Sequence, residues 1–237
     1  MIITGAGPGI MQAAQEGAGR ERSFGINIRL PFEQSANPFI RNDPKLVTFR
    51  YFFTRKLLFV KEADAVTLFP GGFGTLDEGY ETITLVQTGK AKPMPILCLD
   101  RPGGTYWKTW QRTIEDHLLR RGLISPTDMS LISFPASIEE AVAEVTRFYR
   151  LYHSSRNVDD DFVIRLTHPL DGAFVRTLAH EFADIIAGGG EMVQCDALPL
   201  EREQQPELDA LPRLLFRFDR TGYSRLRQLI DRINRDG

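Results

Sequence analysis

Glu78 is the side chain whose neighbours best fit it for chemistry. It follows "PGGFGT", which supplies Gly71, Gly72, Gly74 and Thr75, and that run follows an apolar stretch at residues 65–69. Strand, glycine turn and helix start together make a cradle for phosphate. Glycines let the backbone approach an anion, and the N–H groups of a helix start point at it with the positive end of the dipole. A carboxylate beside such a cradle could hold ribose hydroxyls or steady a positive, sugar-like transition state. The same spacing, T-x-x-E from Thr75, is also that of a capping box, which ties down helix-start N–H groups without catalysis. Both readings of Glu78 stay open at this level. Asp77 is expected to face solvent. The cationic candidates are Arg55 and Lys56, in an aromatic-rich helical stretch. A buried guanidinium there needs a carboxylate or phosphate partner, whereas Lys56 could snorkel to the surface.

A second, weaker turn of the same kind carries Gly5, Gly7 and Gly9 between the strand end at residues 1–4 and a good helix former, "MQAAQEGAG". It is not a dinucleotide fingerprint: Ile10 stands where the third glycine belongs, and no acidic residue follows at ribose-binding distance. Two free-standing cysteines, Cys98 and Cys195, read as small buried hydrophobes of a reducing compartment. "HEFAD" at His180 has Asp184 where a zinc helix needs its second histidine, so no metal and no cofactor is expected. There is no Walker-type loop and no nucleophile elbow.

These groups must be held by a scaffold, and the pattern defines one. Strands are expected at residues 24–30, 46–49, 65–69, 93–100 and 129–134, and helices at 50–63, 76–87, 106–121 and 137–152. Strands alternating with helices predict an α/β fold, a doubly wound parallel Rossmann-like sheet over residues 1–156. In the helix at 50–63, Phe49, Phe53, Leu57 and Val60 form a stripe widened by Phe52 and Phe59, which predicts a mostly buried helix. Pro31 and Pro38 fix the loop before it. Ser137 and Glu140 predict a capping box. Past "HSSRNVDDD" the grammar changes to strand, helix, strand, strand, helix, a small α+β module at 157–237 in which "LEREQQPELD" is an exposed loop.

Composition bounds the partners. The 237 residues are 42% hydrophobic and 25% charged, an ordinary globular balance. A net charge of −2 supplies no basic field to hold nucleic acid. No apolar run approaches the roughly 20 residues that span a bilayer, and "MIITGAGPGI" does not read as a signal peptide. No membrane association and a cytoplasmic location are expected.

With "FFTRK", "PGGFGTLDE" and "GAGPGIM" considered together, the chain resembles the LOG ("Lonely guy") family of Rossmann-like nucleoside 5′-monophosphate phosphoribohydrolases, often labelled lysine decarboxylases. The family pattern, R-K followed by P-G-G-x-G-T-x-x-E, is matched at Arg55, Lys56, Pro70, Gly71, Gly72, Gly74, Thr75 and Glu78. The resemblance spans about residues 2–152, and "GINIRLPFEQSANPF" is similar to the longer bacterial members. It implies hydrolysis of an N-glycosidic bond in an AMP-like nucleotide, releasing base and ribose 5-phosphate. It further implies that the glycine turns at Gly5, Gly7, Gly9 and Gly71–Thr75, with Lys56, hold the substrate. Glu78 would bind ribose hydroxyls and assist the attacking water, with Arg55 as its catalytic partner. A homo-oligomer, dimer or higher, is implied too. Members of the family open with a further strand and helix ahead of "TGGGPGIM", whereas this sequence starts at Met1-Ile2-Ile3-Thr4. Two expectations follow: a start internal to a longer gene, or a shortened, non-catalytic nucleotide-binding protein. A third reading is an assembly protein driven by the module at 157–237.

Overall fold

The computed structural model describes residues 1–29 and 35–237. Leu30, at the end of the second expected strand, and Pro31 lie outside the described residues. The chain is an α/β protein, and its contacts divide it into two compact units, Met1–Asp64 and Ala65–Gly237.

The first unit holds β1 (Ile2–Thr4), α1 (Ile10–Ala18), β2 (Ser23–Ile28), β3 (Leu46–Phe49) and α2 (Phe52–Lys61). Its strands form a parallel sheet in the order β1-β2-β3. Parallel neighbours need a crossover, and α1 supplies the one between β1 and β2. A small core of Ala6, Ala36 and Ile40, with Leu46 against it, closes the end of this sheet that carries the first glycine turn.

The expectation for α2 is corrected here. Only Val60 of its stripe is buried, while Phe52, Phe53 and Leu57 are 51%, 69% and 60% exposed. The helix buries its Val60 side and leaves the aromatic side outward. Periodicity reports that a face is apolar, but not whether the same chain covers it.

The second unit opens with β4 (Val66–Leu68), α3 (Phe73–Gln87), β5 (Ile96–Cys98), α4 (Tyr106–Ile114), β6 (Ile132–Ser133) and α5 (Ile138–Phe148). These strands form another parallel sheet, β4-β5-β6. β5 is fully apolar and buried, as a central parallel strand must be. The strand expected at 129–134 shrinks to Ile132–Ser133, because Ser125 and Asp128 cap a 3-10 turn at Pro126–Leu131. α5 begins at the expected N-cap, with half of the expected capping box: Ser137 Oγ accepts the Glu140 N–H at 3.2 Å, but the Glu140 carboxylate accepts from the Ala136 N–H at 2.8 Å rather than from that of Ser137.

There follow β7 (Tyr152–Val158), β8 (Asp161–Leu166), α6 (Gly172–Glu181), β9 (Val193–Cys195), α7 (Pro199–Gln204), β10 (Arg213–Phe216) and α8 (Tyr223–Asp236). The sheet is antiparallel in the order β7-β8-β10-β9. Phe162, Ile164, Leu166, Leu214 and Phe216 face α6 and α8 and join the largest core.

Two expectations fail in this part. The helix predicted to run to Tyr152 stops at Phe148, and "YHSSRNV", for which no element was expected beyond that helix end, is a strand. Asn234 on α8 secures that switch: its Oδ1 accepts the N–H groups of Leu151 and Tyr152 at 2.8 and 3.0 Å, and its Nδ2 donates to the Phe148 carbonyl. α8 also reaches back through Arg227, whose Nη1 donates to the Met94 carbonyl at 3.0 Å.

The second failure is "LEREQQPELD", which is largely exposed as expected but begins as a helix rather than a loop and buries Glu201. Pro199 starts α7 at a position where its missing N–H costs nothing. Glu201 is 0% exposed and lies against Arg165 (2.6 Å) and Arg213 (3.3 Å), which are directly opposite each other on β8 and β10. A six-residue helix is too short to show a period, and a buried charge reads as a surface one.

Candidate functional site

In the second unit, the glycine turn runs into α3 earlier than expected. The helix starts at Phe73, not at Leu76, and its N-cap is Gly72. The first bonds back to the cap come from the Thr75 and Leu76 N–H groups, to the Gly72 carbonyl at 3.1 and 3.3 Å. Phe73 and Gly74 thus supply the leading N–H groups that a helix start presents to an anion.

This boundary also decides the open reading of Thr75 and Glu78. A capping box would need Thr75 at the N-cap, whereas Thr75 is the third residue of the helix and Glu78 the sixth. Being three apart, the two share one helix face.

Close packing bounds the turn on the Gly71 side only. A side chain on Gly71 would meet Thr75 Oγ1 at 2.2 Å, so the threonine hydroxyl lies folded against that glycine. Gly72 and Gly74 have open space instead: a side-chain carbon on either would meet nothing within 4 Å. One turn on, α3 crosses β4 so closely that a Cβ on Gly79 would come 2.9 Å from Leu68 Cδ1. Glu78 is half-buried and directly precedes Gly79, which makes this contact at the carboxyl end of β4. That end of a parallel strand is where α/β folds place ligands. Asp77 is exposed, as expected.

In the first unit, Gly5, Gly7 and Gly9 lie between β1 and α1. Gly9 is the N-cap of α1 with φ 70°, a conformation that favours glycine. Arg55, on α2, comes back to this turn. Its Nη1 is 3.7 Å from the place where a Cβ on Gly5 would be. The guanidinium also stands over the rings of Phe52 and Phe59, each at 5.5 Å. Lys56 is half-buried on the same helix. The structure thus brings Gly5, Gly7, Gly9 and Arg55 together in one unit. In the other it gathers Gly71, Gly72, Gly74, Thr75 and Glu78.

Two positioning groups were not picked out from sequence. Asn37 is 3% exposed and nails down the first turn: its Nδ2 donates to the Gly7 carbonyl at 3.1 Å and to Gln15 Oε1 at 2.8 Å, and its N–H donates to the Ala6 carbonyl at 2.8 Å. The Asn-Pro pair at 37–38 is the signal that marked it, since that pair starts turns. A cleft of about 350 Å³ lined by Pro8, Gln12, Asn37 and Arg41 adjoins it. In the second unit, the Tyr106 hydroxyl donates to the Gly71 carbonyl at 2.7 Å. No local pattern announces a contact across 35 positions. Burial pushes the Cys98 thiol up to about 12, which makes it a packing group rather than a nucleophile. Among the described residues, no cluster of three His, Cys, Asp or Glu side chains could hold a metal ion. Nor is any helix among them long and apolar enough to cross a membrane.

Parallel strands running through glycine turns into helix starts define a class, the α/β proteins of Rossmann-like fold, in which a helix start follows the carboxyl end of a strand. The family model described as "Possible lysine decarboxylase" matches residues 9–145, more than half of the chain, and the chain belongs to that family, the LOG family. Among characterised proteins, it is similar to cytokinin riboside 5′-monophosphate phosphoribohydrolase LOG3 of Arabidopsis thaliana. The two are 34% identical over 95 residues, which is 40% of this chain and 42% of the relative. LOG1 of the same plant is 35% identical over 92 residues, 38% of this chain and 41% of the relative. The matched part therefore spans about two fifths of the length of these relatives.

Proposed function

We propose that the chain hydrolyses the N-glycosidic bond of a nucleoside 5′-monophosphate of AMP type. Water adds to the anomeric carbon of the ribose, the bond from that carbon to the base nitrogen breaks, and the base leaves with a proton. The products are free base and ribose 5-phosphate. The observation that carries this reading is the start of α3. There, N–H groups fit to hold a phosphate and a carboxylate suited to an oxocarbenium-like sugar stand two helical turns or less apart on one element. The names of the relatives, which act on cytokinin riboside 5′-monophosphate, support it.

Glu78 is assigned to the ribose hydroxyls and the attacking water, and Arg55 is the second catalytic residue. Gly71, Gly72, Gly74 and Thr75 hold the 5′-phosphate, and Gly5, Gly7, Gly9 and Lys56 serve binding. The test is incubation with AMP, GMP, CMP and UMP and measurement of free base. Release of base with equimolar ribose 5-phosphate is expected. Stabilisation by AMP without base release would replace the enzyme with a nucleotide-binding protein.

The outward face of α2 supports a homo-oligomer. Tyr51 and Phe53 stack at 5.7 Å, and with Phe52 and Leu57 they form an apolar surface on one short helix. Such patches mark interfaces, and a second copy is the partner that the family resemblance implies. Light scattering is expected to show a dimer or larger species, and Phe53→Glu with Leu57→Glu is expected to reduce it to a monomer. A monomeric parent protein would remove this part of the proposal. The free thiols of Cys98 and Cys195 fit a reducing, cytoplasmic setting.

A further inference from the structure

The Tyr106–Gly71 hydrogen bond joins two elements that the chemistry would otherwise leave independent. We propose that Tyr106 is a positioning residue for the phosphate-holding turn. The inference rests on the reading of that turn given above, and it names how the turn is aimed.

The geometry is that of a single peptide plane. The Gly71 carbonyl and the Gly72 N–H belong to one trans peptide unit, so they point in opposite directions. Gly71 and Gly72 are both exposed, and Gly72 has open space about its α-carbon. A glycine peptide in such a place is free to rotate, which would swing its N–H away from an anion. The Tyr106 hydroxyl, 2.7 Å from the Gly71 carbonyl oxygen, removes that freedom. With the carbonyl held towards α4, the Gly72 N–H faces the other way. It thereby joins the leading N–H groups of Phe73 and Gly74 as a donor set preorganised for phosphate.

The phenol itself is held firmly. Asp100, just past β5, accepts the Arg101 and Tyr106 N–H groups at 2.8 and 3.0 Å, fixing the start of α4. Gly104 permits this, because a side chain there would meet the Asp100 carboxylate at 2.1 to 2.3 Å. Trp107, 3% exposed, donates its Nε1–H to the Leu99 carbonyl at 3.2 Å and packs edge-on against Tyr106 with ring centres 4.8 Å apart. The end of β5 thus anchors α4, and α4 delivers one hydroxyl to the turn after β4. A phenol that merely filled space would need no acceptor and no such anchor.

Tyr106→Phe in the full chain removes the hydroxyl and keeps the ring. The KM for AMP is expected to rise about three- to tenfold, the equivalent of one lost hydrogen bond, with kcat changed less than about twofold. Turnover of adenosine, which has no phosphate, is expected to be unaltered, and the melting temperature is expected to hold. A purely structural role would lower both substrates' turnover together, and an unchanged KM for AMP would also overturn the inference. Melting shifts on adding ribose 5-phosphate separate this from the fate of the enzyme reading. If the parent protein released no base, the hydrolase would fall, while a ribose 5-phosphate shift that weakens in Tyr106→Phe would still uphold the positioning role. No shift in the parent protein would end it.

Discussion

Glu78→Gln is expected to lower the kcat for base release from AMP by about 10²- to 10⁴-fold, the range for losing a group that moves a proton or stabilises developing charge. The substitution keeps the size and one acceptor oxygen but removes the charge. An oxocarbenium-like ribose gains from a nearby anion, and an amide offers only a dipole in its place. The melting temperature should stay within a few degrees, because the helix start does not use this side chain as a cap. Ribose 5-phosphate should still stabilise the variant, since its phosphate meets backbone N–H groups. A variant that retains parental kcat would strip Glu78 of its role. Loss of activity together with loss of folding would instead give it the structural task that the boundary of α3 denies it. The measurements are initial rates and a thermal melt on one preparation.

Glu201→Ala is expected to destabilise the second unit by about 3–5 kcal/mol, the cost of stranding a buried charge by removing its partner. Two buried guanidinium groups, Arg165 and Arg213, lie against this one carboxylate. Arg213 also donates to the carbonyls of Asp209 and Leu211, and Arg165 to Gln205 and Ser154. These neutral acceptors solvate the cations but cannot balance them. For a chain of this size, the loss corresponds to a melting temperature lower by roughly 6–20 °C.

The same group gives a pH signature. Burial alone would raise the Glu201 pKa, but hydrogen bonds from Arg165 and the charges of Arg165 and Arg213 outweigh it and hold the carboxyl below its usual value. A carboxylate with a lowered folded pKa stabilises above its unfolded value, about 4.3, and that contribution is lost as pH falls through the folded value. The parent protein should therefore lose stability more steeply below about pH 4 than Glu201→Gln does. A Glu201→Ala melt within a degree of the parent would show that the arginines find other partners.

The sequence spoke most clearly where one residue type has one structural meaning. "PGGFGT" after an apolar strand could hardly be anything but a turn into a helix, and the parallel, alternating scaffold followed from strand and helix spacing. It was silent wherever an outcome depended on distant residues. α2 displays an ideal apolar stripe, yet Phe53 and Leu57 face outward, because a helix face looks the same whether its own chain or another copy covers it. Glu201 sits in a polar run that reads as loop, because burial of a charge is decided by Arg165 and Arg213, 36 positions before it and 12 after. β7 was hidden by its serines and its histidine. The T-x-x-E ambiguity at Glu78 was real in the sequence, and a three-residue shift in the start of α3 resolves it. Asn37 was marked only by the turn-starting Asn-Pro pair, and Tyr106 had no local signature as the buttress of a glycine turn.

The reach of α8 has a bearing on synthesis. Asn234 supplies the acceptor for the Leu151 and Tyr152 N–H groups, and Arg227 binds the Met94 carbonyl. Met94 thus waits for a partner translated 133 positions later, and Leu151 for one 83 positions later. On a ribosome adding roughly 5–20 residues per second, the segment from Met94 to Arg227 takes several seconds to appear. Until Asn234 follows, 83 positions after Leu151, the α5–β7 junction lacks its native acceptor for these backbone N–H groups. These contacts of the unit therefore form only after α8 has left the exit tunnel, rather than stepwise as each strand emerges.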